Sequence, residues 1–312
     1  MKVIFMGTPD FAAVSLQRLI DDGHEILAVY TQPDKPKGRG YKLTPPPVKE
    51  LAMRYGLPVF QPTRLKDGKV AAQMREFGPD IIVVAAYGRL LQKDILELPP
   101  LGCVNVHGSL LPRYRGAAPI QWAVLNGEKE AGVTTMYMAQ GLDCGDMILK
   151  ASTAVGENET SGELYDRLAV LGADCLSETM ALFAREWAQG RRPKGIPQDE
   201  SDATHAPMLE KSMGSIDFSK SAQQVHNLIR GMNPWPSAYT RLDGKLLKVH
   251  RSVLAEGEGA PGEILDPQTF TVACGDGAIR LPEVQLEGGK RMEASVFLRG
   301  HSLQKGTVLG VR

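Results

Sequence analysis

The sequence has little that would support a metal-bound, disulfide-linked or membrane-spanning protein. Its four cysteines are far apart, and none belongs to a CxxC pair or to a cysteine–histidine spacing typical of zinc: Cys103, Cys144, Cys175 and Cys274. That pattern argues against a zinc site and a disulfide framework, and it fits a reducing compartment. No apolar run approaches the roughly 20 residues of a membrane span, and the first residues lack a secretory or organellar leader. We therefore expect a cytoplasmic protein with no metal and no membrane partner.

An excess of charge is also missing. Lys and Arg together number 36, as do Asp and Glu, so the chain as a whole does not predict a polyanionic partner. The hydrophobic content of 43% and charged content of 23% are those of a globular protein. We find no internal repeat or low-complexity tract, and 312 residues are enough for two domains.

Strands and helices alternate through the first part of the chain. Short apolar runs that predict strands lie at Val3–Met6, Ile26–Tyr30, Pro58–Phe60, Ile81–Ala86, Cys103–His107, Gly132–Ala139 and Met147–Ala151. The stretches between them are helical in pattern, and a long amphipathic helix is predicted over residues 161–189. This alternation predicts an α/β domain with a parallel sheet covered on both faces.

The pattern changes after residue 189. Residues 190–206 are rich in turn formers and predict a linker, in which Arg191, Arg192 and Lys194 are candidate phosphate contacts. From residue 207 onward one helix, at 222–230, is followed by short β-like runs spaced as in a small barrel or sandwich. We therefore predict a first domain at 1–189, a linker at 190–206 and a second domain at 207–312.

The turn after the first strand could suggest a nucleotide site, because a glycine there precedes a helix. However, Gly7-Thr8-Pro9-Asp10 lacks the glycine spacing of a dinucleotide fingerprint, and Asp10 would repel a pyrophosphate. A plain helix start is the better interpretation, with Thr8 as the N-cap and Pro9 at the first helical position.

Two polar side chains share one face of the strand predicted at 103–107. Asn105 and His107 are two residues apart and therefore point the same way, at the carboxyl end where open α/β sheets bind ligands. A third candidate, Asp143, lies in a glycine-flanked loop between two predicted strands. A histidine at a strand end is as often structural as functional, and Asp143 could be a simple turn residue.

The sequence around these residues resembles the formyltetrahydrofolate-dependent formyltransferases. The motifs that carry the resemblance in the centre of the chain are Asn105-x-His107, Ser109-Leu110-Leu111-Pro112, Arg113-Tyr114-Arg115-Gly116-Ala117-Ala118-Pro119, Gly132-Val133-Thr134 and Gly141-Leu142-Asp143-x-Gly145-Asp146. Further motifs resemble the members that act on methionyl initiator tRNA: Gly7-Thr8-Pro9-Asp10-Phe11-Ala12, Thr31-Gln32-Pro33-Asp34, Gly38-Arg39-Gly40, Pro47-Val48-Lys49 and Asn233-Pro234-Trp235-Pro236. The resemblance covers essentially the whole chain. It implies a Rossmann-like N-terminal domain and a smaller OB-like β-barrel at the C-terminus.

The implied reaction transfers the formyl group of 10-formyltetrahydrofolate, as co-substrate, to the α-amine of methionine on initiator tRNA. The resemblance assigns catalysis to Asn105, His107 and Asp143 and requires no metal. It assigns the folate site to the segment Ser109, Leu110, Leu111 and Pro112, with main-chain groups of Val83–Gly88 as walls of the pteridine pocket. One departure is Cys144, where the family commonly has Thr.

A basic segment at 34–49 points to the tRNA partner. It contains five basic residues and one acid, together with several prolines and glycines, and such a long loop is either functional or merely solvated. By resemblance it contacts the acceptor end of the tRNA through Lys35, Lys37, Arg39 and Lys42. The second domain has 13 basic and 11 acidic residues, so its contacts should form a local patch, and Trp235 is expected to pack rather than to stack on a base.

Rival functions share part of this pattern. A formyltransferase acting on an amino-sugar nucleotide would share the catalytic core and the second domain, but a small acceptor has no use for the basic segment. A glycinamide-ribonucleotide formyltransferase would lack the second domain, and a deformylase would carry an extra N-terminal domain. A non-catalytic tRNA-binding protein would not need the three polar residues. Nothing in the sequence demands more than a monomer.

Overall fold

The fold is described from a computed structural model that covers residues 1–37 and 42–310, with the side chains of Lys37 and Lys42 also left out. The chain divides into two compact units. Unit 1 comprises Met1–Pro119, Ala131–Thr153 and Tyr165–Ala206, and unit 2 comprises Ile120–Glu130, Ala154–Leu164 and Pro207–Arg312. The domain limits predicted from the sequence remain a prediction. The structure adds that two short stretches before residue 165 belong to unit 2.

The first 206 residues contain eleven strands and six helices within the described ranges. The strands are β1 (Lys2–Gly7), β2 (Glu25–Tyr30), β3 (Lys35–Lys37), β4 (Lys42–Thr44), β5 (Val59–Phe60), β6 (Ile81–Ala85), β7 (Cys103–His107), β8 (Arg115–Gly116), β9 (Glu130–Tyr137), β10 (Met147–Ala154) and β11 (His205–Ala206). The helices are α1 (Asp10–Asp21), α2 (Pro47–Arg54), α3 (Lys69–Phe77), α4 (Lys93–Leu96), α5 (Pro119–Leu125) and α6 (Ser161–Trp187), with a 3₁₀ helix at Glu200–Asp202. The alternation predicted from the sequence is confirmed.

Seven of these strands form one sheet in the order β10-β9-β7-β6-β1-β2-β5. The strands from β7 to β5 are parallel, whereas β9 runs antiparallel to β7. The predicted parallel sheet is confirmed from β7 to β5, and the antiparallel pairing of β9 with β7 makes the whole sheet mixed. The strand order reverses at β1, so the carboxyl ends of β1, β6 and β7 meet at one edge of the sheet.

Close packing of α6 fixes the position of β7. All five residues of β7 are buried. Gly172 of α6 lies against Val106, and a Cβ at Gly172 would come within 3.1 Å of the Val106 side chain. The hydroxyls of Thr135 and Thr179 are 2.7 Å apart and join α6 to β9. Asn105 and His107 therefore project from a rigid part of the sheet.

The start of α1 differs from the prediction. Pro9 is the N-cap and the helix begins at Asp10. Thr8 lies one residue before the cap, and its hydroxyl donates a hydrogen bond to the main-chain oxygen of Tyr87, 3.3 Å away. The predicted cap was wrong because the helix begins one residue later and the hydroxyl is turned towards the loop after β6.

The predicted linker has its own contacts within unit 1. Residues 191–206, called the 191–206 segment below, form a bridge to β10 through Ile196 and Met147 and then a parallel pairing of β11 with β8. The guanidinium of Arg192 lies over the Tyr137 ring at 4.1 Å, and Arg191 pairs with Glu186 at 2.8 Å. These two arginines, predicted as phosphate contacts, therefore bind the protein itself.

Unit 2 is built on an antiparallel sheet. The order is β12 (Ala238–Leu242), β13 (Lys245–Ala255), β16 (Ala278–Leu286), β15 (Thr271–Ala273) and β14 (Ile264–Asp266), with β17 (Met292–Glu293) paired to β16. Helices α7 (Ala222–Gly231) and α8 (Ala294–Gly300) and a 3₁₀ helix at Lys211–Gly214 complete it. The small β-domain agrees with the prediction, and its closure into an OB-like barrel remains a prediction. Across the described residues of both units, no helix is long and apolar enough to cross a membrane.

A buried arginine holds the 154–164 stretch within unit 2. Arg230 of α7 is only 4% exposed, and it donates to the Asn227 side chain and to the main-chain oxygens of Gly156 and Glu159. Burial lowers the pKa of Arg230. Trp235, in contrast, is 53% exposed, so the packing predicted for it is at most partial.

Candidate active site

Asn105 and His107 lie at the carboxyl end of β7, as predicted, and both are buried, at 9% and 5% exposure. Within the described ranges, no protein group forms a hydrogen bond with the Asn105 side chain, although neither of its polar atoms is fully closed off from solvent. An amide held on a rigid strand with its N–H unengaged is available to a bound molecule.

The imidazole of His107 lies between two oxygen atoms of the protein. Its Nε2 is 2.9 Å from the main-chain oxygen of Tyr114, and its Nδ1 is 3.6 Å from Oδ2 of Asp143. Because a carbonyl oxygen only accepts, Nε2 carries a hydrogen and donates it to Tyr114. The Nδ1 atom is therefore the one that can exchange a proton, and it faces the carboxylate.

Asp143 is held in a sparsely populated backbone conformation, with φ at +50°. Its Oδ2 accepts a hydrogen bond of 2.9 Å from the main-chain N–H of Gly116. Two further non-glycine residues of unit 1 have positive φ, Ala86 after β6 and Tyr114 after β7. All three lie in loops that follow strands of the sheet, and such conformations cluster at functional sites.

The segment 109–112 is shaped by contacts of its own. The hydroxyl of Thr134 donates to the main-chain oxygen of Ser109 at 2.7 Å and accepts from the N–H of Leu111. The Ser109 hydroxyl donates to the main-chain oxygen of Arg113, and Leu111 is fully buried beside Met136 and Met147. Of the four predicted folate-site residues, only Leu110 and Pro112 are half-exposed and available to a ligand.

The end of β6 meets the ends of β1 and β2. The side-chain N–H groups of Gln32 donate to the main-chain oxygens of Tyr87, at 2.9 Å, and Gly88, at 3.4 Å. The hydroxyl of Thr8 reaches the same oxygen of Tyr87. The loop predicted to line the pteridine pocket is thus fixed from two neighbouring strand ends.

The basic segment is partly a hairpin of β3 and β4, not a simple loop. Its base is fixed by Lys49, whose ammonium lies 2.8 Å from both oxygens of Asp34 and 2.8 Å from the Gln61 oxygen. The hydrogen bonds from Lys49 and then Gln61 lower the pKa of Asp34. Lys35 is exposed, whereas Arg39 lies outside the described residues, as do the side chains of Lys37 and Lys42.

Several groups that shape the site were not predicted from the sequence. They are the main-chain oxygen of Tyr114, the main-chain N–H of Gly116, the Thr134 hydroxyl and, from the predicted linker, the side chain of Gln198. Main-chain groups have no sequence signal, and Gln198 stands in a turn-rich stretch without a motif. Thr134 belongs to the motif Gly132-Val133-Thr134, and membership in that family motif is the signal that could have identified it.

The site contains an amide donor, an imidazole and a carboxylate, and the described residues contain no group of three or more His, Cys, Asp or Glu placed to hold a metal ion. Comparison with family models defines its class. The chain belongs to the formyl transferase family: the model described as formyl transferase matches residues 1–180, and that of the formyl transferase C-terminal domain matches residues 208–302. The protein is therefore a transferase, and the resemblance seen in the sequence is confirmed.

Relatives indicate the branch of the family. The chain is 49% identical over 312 residues to the methionyl-tRNA formyltransferase of Geotalea uraniireducens, covering 99% of this chain and 98% of the relative. It is 50% identical over 315 residues to the methionyl-tRNA formyltransferase of Desulforamulus reducens, with coverage of 99% and 98%. Among solved structures, the N-formyltransferase of Helicobacter canadensis has the same fold, with a TM-score of 0.67 at 17% identity over 94% of this chain and 100% of the other.

Proposed function

We propose that the protein transfers the formyl group of 10-formyltetrahydrofolate to the α-amine of methionine carried by initiator tRNA, the step that prepares this tRNA for translation initiation. The observation that carries the proposal is the near-50% identity to methionyl-tRNA formyltransferases over 99% of the chain. The arrangement of Asn105, His107 and Asp143 at one sheet edge supports the chemistry.

The reaction needs little activation of the nucleophile. An α-amine titrates near pH 8 or below, so an appreciable fraction is neutral at physiological pH. Its nitrogen attacks the formyl carbon, the bond from that carbon to N10 of the folate breaks, and one proton passes from the amine to N10. Between these steps the formyl oxygen carries negative charge. The enzyme must hold both substrates, stabilise the oxyanion and move one proton.

Asn105 is the proposed oxyanion donor. Its side-chain amide is unengaged by the described protein groups and is fixed on a buried strand, so it donates to the formyl oxygen without reorganising. One such donor contributes on the order of 10²–10³ in rate.

His107 is the proposed proton relay, acting through Nδ1. The hydrogen bond from Nε2 to Tyr114 keeps the ring in one orientation, so that Nδ1 faces the carboxylate 3.6 Å away. Nδ1 takes up a proton from the attacking amine, and Asp143 stabilises the resulting imidazolium. The imidazolium donates a hydrogen bond to the formyl oxygen and then passes the proton to N10, which corresponds to about 10²–10⁴ in rate.

The folate co-substrate is placed by analogy within the family. Leu110 and Pro112 are the half-exposed members of the 109–112 segment, and main-chain groups of Val83–Gly88 form the proposed pteridine wall. The Ser109 hydroxyl and the Leu111 side chain are not needed for this assignment, because both make contacts within the protein. They give the segment its shape.

The basic hairpin is the proposed contact to the acceptor end of the tRNA. Lys35, Lys37, Arg39 and Lys42 follow one another along β3, β4 and the residues between them. A guanidinium such as that of Arg39 suits contact with phosphate or an unpaired base. The clamp of Asp34, Lys49 and Gln61 fixes the base of this hairpin.

The competing function is formyl transfer to an amino-sugar nucleotide. Offering the two acceptors in parallel with 10-formyltetrahydrofolate decides between them. We expect rapid transfer to methionyl initiator tRNA and none above background to the sugar nucleotide. Transfer to the sugar nucleotide alone would overturn the proposal, and transfer to neither would indicate a binding protein. Affinity for the tRNA should fall as salt rises, because each phosphate contact releases counterions.

A further inference from the structure

The side chain of Gln198 connects the 191–206 segment to the loop that carries Asp143. Its Nε2 donates two hydrogen bonds of 2.8 Å, one to the main-chain oxygen of Asp143 and one to that of Gly145. Because both acceptors are carbonyls, the amide orientation is fixed, and Oε1 points the other way. One side chain thus holds two carbonyls of a three-residue stretch.

Arg115 fixes the other end of the Gln198 amide. Its Nε donates to Oε1 of Gln198 at 2.9 Å, and its two terminal nitrogens bind both carboxylate oxygens of Glu200 at 2.8 and 2.9 Å. The hydrogen bonds that Arg115 donates to Glu200 raise the pKa of Arg115, so the guanidinium stays charged. A bidentate pair of this kind also restricts orientation. Gln198 therefore cannot turn its donors away from the loop without breaking its bond to Arg115.

Gly116, which follows Arg115, binds the side chain of Asp143, whereas Gln198 binds its main chain. The main-chain N–H of Gly116 donates to Oδ2 of Asp143. The 191–206 segment holds this stretch in place through the parallel pairing of His205–Ala206 with Arg115–Gly116. The carboxylate of Asp143 and the carbonyl of Asp143 are thus positioned by two adjacent parts of one network.

The loop that carries Asp143 needs the hydrogen bonds from Gln198 because its backbone has an unfavourable conformation. Asp143 has φ at +50°, a region that is unfavourable for a non-glycine residue unless its surroundings impose it. Without the Gln198 donors, two carbonyls would lose their partners and the peptide could rotate. Rotation there moves the carboxylate relative to Nδ1 of His107.

We propose that Gln198 is a positioning residue for catalysis, which sets the distance between the Asp143 carboxylate and the His107 imidazole from within the predicted linker. The inference rests on the proposed function, because it gives the 191–206 segment a role in the same reaction. It touches neither substrate, and its effect passes through Asp143. A displacement of about 1 Å at a catalytic group can cost about 10²-fold in rate.

The test compares Gln198→Met, which keeps the length of the side chain but has no donors, with Gln189→Met. Gln189 is exposed in the turn that follows α6, so it serves as the matched control. We expect Gln198→Met to lower kcat for methionyl-tRNA formylation by about 10- to 100-fold, with KM for tRNA and folate changed less than about threefold. The control should stay within about twofold. A loss confined to KM for tRNA would instead make the segment a tRNA contact and overturn the proposal.

A double-mutant cycle shows whether the effect passes through Asp143. In an Asp143→Asn background, Gln198→Met should cost less than about threefold in kcat, because the group that it positions is already disabled. An undiminished loss in that background contradicts the proposal. If Gln198→Met proves unstable to heat, Gln198→Glu, which keeps the acceptor for Arg115 and loses the donors, gives the same comparison. Failure of the wild type to formylate methionyl-tRNA would instead overturn the proposed function.

Discussion

The main-chain oxygen of Tyr114 lies 2.9 Å from Nε2 of His107 and decides which nitrogen of the ring takes part in proton transfer. The sequence predicts His107 as the central catalytic residue but cannot indicate which of its nitrogens is engaged. With Nε2 donating to a carbonyl, the exchangeable site is Nδ1, on the side of Asp143. This makes the carboxylate a direct neighbour of the reacting proton.

Removing the charge of Asp143 should therefore slow the chemical step. Asp143→Asn keeps the size of the side chain but no longer stabilises an imidazolium at His107, so we expect kcat to fall by about 10²–10⁴ with KM for folate little changed. Asp146→Asn changes an exposed carboxylate of the same loop and is the control. Steady-state kinetics at saturating tRNA measure both. Equal activities of the two variants would remove Asp143 from the mechanism.

The same loop makes a prediction about backbone packing. A Cβ at Gly145 would overlap the main-chain oxygen of Tyr137, whereas a Cβ at Gly141 would meet only the Cys144 side chain, which can rotate away. Gly145→Ala should displace the Asp143 loop and reduce kcat by about 100-fold, and Gly141→Ala should stay near wild type. If Gly145→Ala has wild-type activity in the formylation assay, the loop tolerates displacement and its exact placement is unimportant.

Loosening the base of the hairpin should affect tRNA more than folate. Lys49→Ala removes the ammonium that hydrogen-bonds both Asp34 and Gln61, so the base of the hairpin is held less firmly. We expect KM for initiator tRNA to rise by about three- to tenfold, roughly 1 kcal/mol, with KM for folate unchanged. Lys93→Ala, at an exposed lysine of α4, is the control. An unchanged KM for tRNA would show that the clamp does not serve tRNA binding.

Acid stability of unit 2 should depend on Glu163. Burial alone would raise the pKa of Glu163, but hydrogen bonds from Arg251 and Thr160 outweigh burial and hold the pKa at about 2, below the ordinary value of 4.5. Since the folded-state pKa is the lower one, the stabilisation is complete above about pH 5 and disappears between about pH 4.5 and 2. Arg251 and Glu163 are 40% and 46% exposed, so solvent screening limits it to about 1 kcal/mol.

Glu163→Gln measures this contribution. Chemical denaturation should show the variant about 1 kcal/mol less stable than wild type at pH 7, and the difference should vanish as the pH approaches 2. Glu256→Gln, at an exposed residue of unit 2, should match wild type throughout. A Glu163→Gln deficit that does not change with pH would contradict the ion-pair explanation.

Much of the framework follows from the sequence because its signals are local. The strand Cys103–His107 is observed with the predicted bounds, since an apolar run between turn formers identifies a buried strand. Because side chains along a strand alternate between its two faces, the spacing of Asn105 and His107 was enough to place both on one face. The family motifs then identified Asp143, although no local pattern brings it next to His107.

The remaining features depend on contacts between distant residues. The pairing of β8 with β11 involves only two residues in each strand, too few for a periodic signal. Thr8 has a good N-cap sequence, yet its hydroxyl binds Tyr87, 79 residues away. Gln198 stands 53 residues or more from the carbonyls that it holds, so the turn-rich composition of its segment predicted a linker rather than a support for the active site.

The most direct test of the central claim is single-turnover formyl transfer to methionyl initiator tRNA by His107→Ala, measured beside tRNA binding by the same variant. With His107 as the proton relay, transfer should fall to near the background rate while the dissociation constant for tRNA stays within about threefold of wild type. Near-normal transfer by His107→Ala would contradict the account.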